Sequence, residues 1–187
     1  MPRLFGNAIM LREYQAEDIS AIRTWVNDES ATRYLSTRYW PPQTMVDTQE
    51  FLSRMLQSSH NAYNFVIADR ESGRYIGQLD MFRVDWQLRV GEIGMVIADE
   101  SERGRGIGTE ALLLMERFAF RTLGLERLEL EVHMQNAAAL RCYEKAGFTL
   151  EGVKRHAFFT DGQFCDVGMM SILRHEFEQR TGESQNA

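Results

Sequence analysis

The sequence predicts an α/β (α+β) fold built on a mixed, mostly antiparallel sheet covered by helices, and three observations carry that expectation. Apolar positions switch repeatedly between a period of two and a period near 3.6, so strands and helices alternate along the chain. Two pairs of strand-like runs are joined by the turn dipeptides Ser72-Gly73 and Asp161-Gly162, which mark antiparallel hairpins rather than parallel crossover units. The 187 residues are 44% hydrophobic and 26% charged, a composition suited to one globular core.

Taken in order, residues 8–14 read as a first strand. Glu17 to Asp28 reads as a helix with the apolar stripe Ile19, Ile22, Trp25 and Val26, and Gln43 to Gln57 as a second. Between them Arg38-Tyr39-Trp40-Pro41-Pro42 breaks the periodicity; its aromatics could line a substrate entrance or belong to an ordinary packed loop. Asn64 to Asp69 and Arg74 to Phe82 form the first hairpin, followed by a strand from Arg89 to Ala98. A helix begins near Ile107 and continues through the amphipathic run Ala111 to Phe120. Leu128 to Val132 alternates and should lie beside Glu92 to Ala98. A short helix capped by Asn136 and ended by Gly147 precedes a last hairpin, Phe148 to Phe159 with Gln163 to Ile172. Residues 1–177 form the expected domain, and residues 178–187 read as a disordered tail.

Charge and cysteine usage narrow the function classes. A formal net charge of −6 argues against a nucleic-acid surface and favours cationic partners such as amines. Cys142 and Cys165 are too few for a disulfide framework and read as reduced thiols. His60, His133, His156 and His175 lack the short spacings of zinc ligands, so no metal is expected and each reads as a surface or packing residue. No apolar leader and no membrane-length apolar run is evident, so a soluble, cytoplasmic protein without a membrane partner is expected.

The most informative stretch is Glu102-Arg103-Gly104-Arg105-Gly106-Ile107-Gly108-Thr109, which leads from the apolar run Met95 to Ala98 into a helix. Glycines let main-chain N–H groups approach an anion, and the helix start points its positive dipole end at the same place. Taken alone, the stretch reads equally as a surface turn with two solvated arginines. It is not a nucleotide-triphosphate P-loop, since Gly108 is followed by Thr109 and Glu110 with no lysine. Nor is it a dinucleotide fingerprint, which would need glycine at 109 rather than 108. The pattern present is Arg-x-x-Gly-x-Gly, formed by Arg103, Gly106 and Gly108.

A second constellation runs from Asn136 to Phe148. Asn136 and Tyr143 are seven residues apart, about two helical turns, so both can address one elongated ligand. Alone, Asn136 could be just a cap and Tyr143 just a half-buried aromatic. Together, Arg-x-x-Gly-x-Gly and Asn-x-x-Ala-x-x-x-Tyr-x-Lys-x-Gly-Phe resemble, in order and separation, the two motifs of the GNAT N-acetyltransferase superfamily. The run from Gly147 to Gly152, then Lys154 to Gly162 and Asp166, is similar to the branch containing ribosomal-protein alanine acetyltransferases and spermidine acetyltransferases. The resemblance covers residues from about 8 to 174.

That resemblance implies helices on both faces of the sheet and central strands that splay apart to admit a pantetheine arm. It implies an acetyl-CoA-dependent enzyme, with coenzyme A pyrophosphate on the amides of Gly104, Arg105, Gly106, Ile107, Gly108 and Thr109 and with Arg103 and Arg105 near its oxygens. The main chain at Met95, Val96 and Ile97 would meet the pantetheine amides, with an N–H of Val96 or Ile97 facing the developing oxyanion. Asn136 would contact the arm or an ordered water. Tyr143 would protonate the departing sulfur, and Glu92 would act on the amine directly or through water; read bottom-up, Glu92 could equally be a solvated strand charge. The acceptor would be a primary amine, as a small molecule, a polyamine or a peptide N-terminus, and related enzymes are monomers or homodimers. A coenzyme A-binding sensor or interaction module without turnover is the alternative, and it would need only the loop.

Overall fold

The computed structural model describes residues 3–57 and 62–182. Eight strands form one sheet: β1 (Leu4–Phe5), β2 (Ile9–Arg12), β3 (Tyr63–Asp69), β4 (Tyr75–Asp85), β5 (Val90–Ile97), β6 (Arg127–His133), β7 (Thr149–Thr160) and β8 (Gln163–Leu173). Their spatial order is β1-β2-β3-β4-β5-β6-β8-β7. Every neighbouring pair is antiparallel except β5 with β6. The helices are α1 (Ile19–Trp25), α2 (Glu29–Thr32), α3 (Met45–Met55), α4 (Ile107–Arg117), α5 (Ala137–Lys145) and α6 (Arg174–Thr181).

Helices cover both faces. On one side α4, α5 and α6 bury Leu112, Met115, Tyr143, Ala146 and Phe177 against Leu11, Phe65, Leu79, Ile93, Leu130 and Met170. On the other, α1 and α3 set Ile22, Trp25 and Leu52 against Met10, Val66, Ala68 and Tyr75. Removing each such large apolar side chain from water stabilises the fold by roughly 1.5–3 kcal/mol, which is why the period-two strands and period-3.6 helices settle face to face.

Local signals set the connections. Asp161 (φ 50°) and Gly162 (φ 75°) both take the left-handed backbone that a type I′ turn requires. Thr44 accepts the Asp47 N–H while Asp47 accepts that of Thr44 at 2.7 Å, a capping box that starts α3. The helix expected as one run from Glu17 to Asp28 is instead divided. A 3-10 turn (Ala16–Asp18) leads into α1, which stops at Trp25, and Asp28 caps the separate α2. Asp18 accounts for the tight first turn: it forms a buried bidentate pair with Arg12 at 2.9 and 2.7 Å and also accepts the Gln15 N–H, so that turn wraps around the carboxylate. The later break falls at Asp28, which is extended and whose side chain accepts the Ser30 N–H.

The chain end also differs from expectation, because α6 continues helical to Thr181 where disorder from Glu178 was expected. Its buried Phe177 and the pairing of Arg180 with the fully buried Glu116 on α4 hold this otherwise polar helix. Residues 183–187 and His60 lie outside the described residues. Among the described residues no helix is long and apolar enough to cross a membrane, and no cluster of three metal-ligating side chains occurs.

Candidate active site

The feature that creates a site is the early end of one strand pairing. Parallel registration of β5 with β6 runs only through Val90–Arg127, Gly91–Leu128 and Glu92–Glu129. From Ile93 to Ile97, β5 remains paired with β4 alone, so a V-shaped opening separates it from β6. Within it, main-chain direction alternates. Ala98 donates to Ile76 on the β4 side, whereas the Ile97 carbonyl accepts the Arg103 Nε–H at 3.0 Å. A side chain on Gly77 would run into the Val96 carbonyl, so Val96 also faces β4. Met95 and Ile97 therefore turn their polar groups into the opening, and Val96, expected alongside them, does not.

At the head of the opening, Gly104 (φ 76°) and Gly106 (φ 86°) are both left-handed, and a Cβ on either would meet no atom within 4 Å. These glycines serve conformation and approach rather than packing. Gly106 caps α4, so the unpaired amides of its first turn, from Ile107 through Thr109, point outward where the helix dipole is positive. Gly108 has a different duty: an added Cβ would lie 3.0 Å from both Cys142 Sγ and Met95 Cε. It lets α4, α5 and β5 converge.

The arginines of the loop are tied down by the protein itself. Arg103, besides holding Ile97, reaches Ser30 after α1. Arg105 is 65% exposed and pairs with Glu102 at 2.8 Å, and Glu102 also holds Arg74 at 2.6 Å. Sequence reasoning missed Glu102 and Arg74, because nothing within the loop signals a partner at the start of a neighbouring strand.

The α5 residues flank the opening. Asn136 Oδ1 accepts the Ala139 N–H at 3.1 Å, leaving its amide NH2 free to donate. Tyr143 is buried, its ring 6.0 Å from Phe148, and burial pushes its hydroxyl well above the ordinary range, so it stays protonated. No described residue bonds that hydroxyl, yet it is not among the sealed unpartnered atoms, which are Glu116 Oε1 and His133 Nδ1. It consequently keeps contact with solvent. Cys142 beside it is half-buried, and burial raises its thiol.

Glu92 stands at the last β5–β6 pair, on the opposite sheet face from Ile93, and pairs with Arg83 at 2.5 Å. Beyond it, aromatic rings gather near the end of β6. His133, at the end of β6, lies 4.2 Å from the Phe158 ring and 5.6 Å from Tyr34, and burial lowers its pKa. Trp40, 59% exposed, meets Phe158 at 5.9 Å. Tyr39, its neighbour, instead packs on Trp25. Within the Arg38 to Pro42 segment, Tyr39 is thus packed and Trp40 exposed.

Comparisons with known proteins give the family. The family model for the acetyltransferase (GNAT) domain matches residues 8–149. The chain is similar to the spermidine N(1)-acetyltransferase of Escherichia coli K12, 26% identical over 172 residues that cover 92% of this chain and 89% of that protein. It is also similar to the human alpha/beta-tubulin-N-acetyltransferase 9, 28% identical over 158 residues and covering 78% and 74% of the two chains. Among solved structures, the spermidine N-acetyltransferase of Vibrio cholerae in complex with CoA and spermine superimposes with a TM-score of 0.80 at 23% identity, covering 92% of this chain and 99% of that one. A GNAT-family acetyltransferase from Bacillus anthracis gives 0.80 at 18% identity, covering 93% and 99%. With the family match over most of its length, the chain belongs to the GNAT acetyltransferases and is an N-acetyltransferase.

Proposed function

We propose that the protein transfers an acetyl group from acetyl-CoA to a primary amine, a polyamine, another small amine or a peptide N-terminus, by direct attack in a ternary complex. One observation carries the reading: the unpaired stretch of β5 and the glycine-lined start of α4 meet beside α5, where a Cβ on Gly108 would touch both Met95 and Cys142, the neighbour of Tyr143. The residues present suit coenzyme A, since open space above Gly104 and Gly106 leaves main-chain amides accessible to a diphosphate. When bound, the coenzyme supplies an activated thioester.

The roles of the chain's own groups follow. Amides from Gly104 to Thr109 hold the diphosphate, with Arg105 free to swing from Glu102 toward it. Met95 and Ile97 hold the pantetheine amides, and Asn136 donates to the arm from the other wall. Fixing the thioester in this way replaces a search through solution by a single oriented approach. An N–H of the open β5 stretch, that of Ile97 rather than Val96, faces negative charge developing on the acetyl oxygen. Tyr143 supplies the proton to the departing sulfur, for which a neutral, solvent-touched phenol beside the cleft is chemically suited. Glu92, paired with Arg83, draws the cationic amine in, directly or through water.

An amine acceptor is favoured by the net charge of −6 and by relatives that include spermidine N-acetyltransferases. Incubation with acetyl-CoA and a panel of amines, including spermidine and peptides starting with Ala or Ser, is expected to release free thiol with at least one acceptor. Tight coenzyme binding without thiol release for any amine would instead mark a sensor.

A further inference from the structure

Four carboxylates lie along the acceptor face of the sheet near the opening, and three already have a cation. Glu92 pairs with Arg83, Glu129 with Arg127 at 3.0 Å, and Glu131 with Lys154. The fourth, Asp80 on β4, has no basic partner among the described residues. It stands directly across from Gly94 on β5, two residues past the last β5–β6 pair, and on the same face as Glu92. With no side chain at Gly94, its neighbour there is Phe82, a ring 51% exposed whose Cε1 is 3.2 Å from where a Cβ would be. Asp80 keeps partial solvent contact although protein encloses it.

Around this carboxylate the chain has built a directed set of donors. The Tyr14 hydroxyl donates to Oδ1 at 3.2 Å and the Gln78 amide to Oδ2 at 3.1 Å. Behind Gln78, Trp25 Nε1 donates to the Tyr75 hydroxyl, which donates to Gln78 Oε1, both at 3.1 Å. Buried ionisable groups are ordinarily paired, so a carboxylate held in place by neutral donors alone, among the described residues, is suited to receive a cation.

We propose that Asp80 receives the acceptor's ammonium group and takes its proton, a carboxylate base on β4. The inference rests on the amine-acetylation reading above. Asp80 accepts one proton from R–NH3+, freeing the nitrogen lone pair. The N–C bond to the acetyl carbon then forms, the C–S bond breaks, and Tyr143 protonates the departing sulfur. The nitrogen's second proton leaves to water, water reprotonates Tyr143, and Asp80 later releases its proton, so that one net proton appears in solution per transfer. Burial supports this assignment by raising Asp80 to about 7, partly offset by its hydrogen bonds, and a base works best when its pKa lies near the working pH. Tyr14, Tyr39 and Tyr75, all raised by burial, face it from the β2–α1 connection, the loop before α3 and β4. Glu92 with its Arg83 lies along β5, and the Arg12–Asp18 pair lies behind Tyr75.

The test is the pH dependence of kcat/KM, which reports ionisation in the free enzyme, together with a carbon-13 carboxyl titration of the coenzyme-free protein. Asp80→Asn is expected to lower kcat about a hundredfold or more with unchanged coenzyme A affinity. It should also abolish an acid limb near pH 7 and delete a carboxyl resonance titrating there. Tyr14→Phe, which removes one donor to the charged form, should move that limb to higher pH; if Asp80→Asn does not fold, this variant decides. An unmoved limb in Tyr14→Phe, or a limb that survives Asp80→Asn and vanishes in Glu92→Gln, overturns the proposal. An Asp80 carboxyl that titrates in the ordinary carboxylate range does so as well. Absence of acetylation for every amine in the wild type would overturn the amine reading itself, whereas the carboxyl titration still judges Asp80.

Discussion

The Arg103 guanidinium donates to the carbonyl of Ile97 at 3.0 Å, tying the glycine loop to the strand whose free edge lines the opening. Arg103 thereby acts through position as well as charge. Arg103→Met is expected to weaken coenzyme A binding about tenfold, or roughly 1.4 kcal/mol, by releasing the loop from β5. Arg105→Met, removing an exposed side chain already paired with Glu102, should cost less. Titration calorimetry on the two variants decides, and equal losses would mean that Arg103 contributes charge alone.

Gly106 tests the cradle itself. Its φ of 86° strains any other residue, and the space above it is open, so Gly106→Val combines a backbone cost of about 1 kcal/mol with obstruction of the amides. Coenzyme A affinity should fall at least about tenfold while the sheet and its circular dichroism persist. Normal binding by a folded variant would refute the loop assignment.

Tyr143→Phe retains the ring that packs near Phe148 and removes just the hydroxyl. Turnover should fall about a hundredfold, the usual scale for losing a general acid, with coenzyme A affinity within about twofold. An unchanged kcat would take Tyr143 out of the acid role.

Glu116 gives a prediction about stability. Burial raises its carboxyl to about 7, with Arg180 pulling in the opposite direction. Because the folded-state value is raised, Glu116 contributes most below its ordinary pKa of 4.5, and that contribution is lost as pH rises through about 7. Glu116→Gln should therefore flatten the urea-unfolding free energy between about pH 5 and 8. Arg180→Met should cost about 3 kcal/mol at pH 8, where it strands a buried charge, and less at pH 5.

The parts of the fold legible in the sequence were those specified by neighbouring residues. Ser72-Gly73 and Asp161-Gly162 announce their hairpins because the left-handed backbone there needs such residues. Asn136 announces α5 because its side chain caps that helix. What stayed hidden depends on partners distant in sequence. Nothing local to Asp18 foretells Arg12, so the tight first turn before α1 was read as ordinary helix. Phe177 and Arg180 hold α6 through α4, so its polar composition suggested disorder. The family motifs located the loop and Tyr143, whereas Asp80 belongs to no motif; it stands out only once β4, β5 and the Tyr14 and Gln78 side chains are assembled around it.

Three residue pairs are all that join β5 to β6, so the sheet behaves as two plates welded along a short edge. The shared apolar core, in which Leu112 and Met115 of α4 sit with Ile93 of β5 and Leu128 of β6, bears the load that a full ladder of main-chain bonds would otherwise carry. A pantetheine arm bound along β5 as proposed would supply the missing rungs on that side, so coenzyme binding is expected to stiffen the junction between the plates.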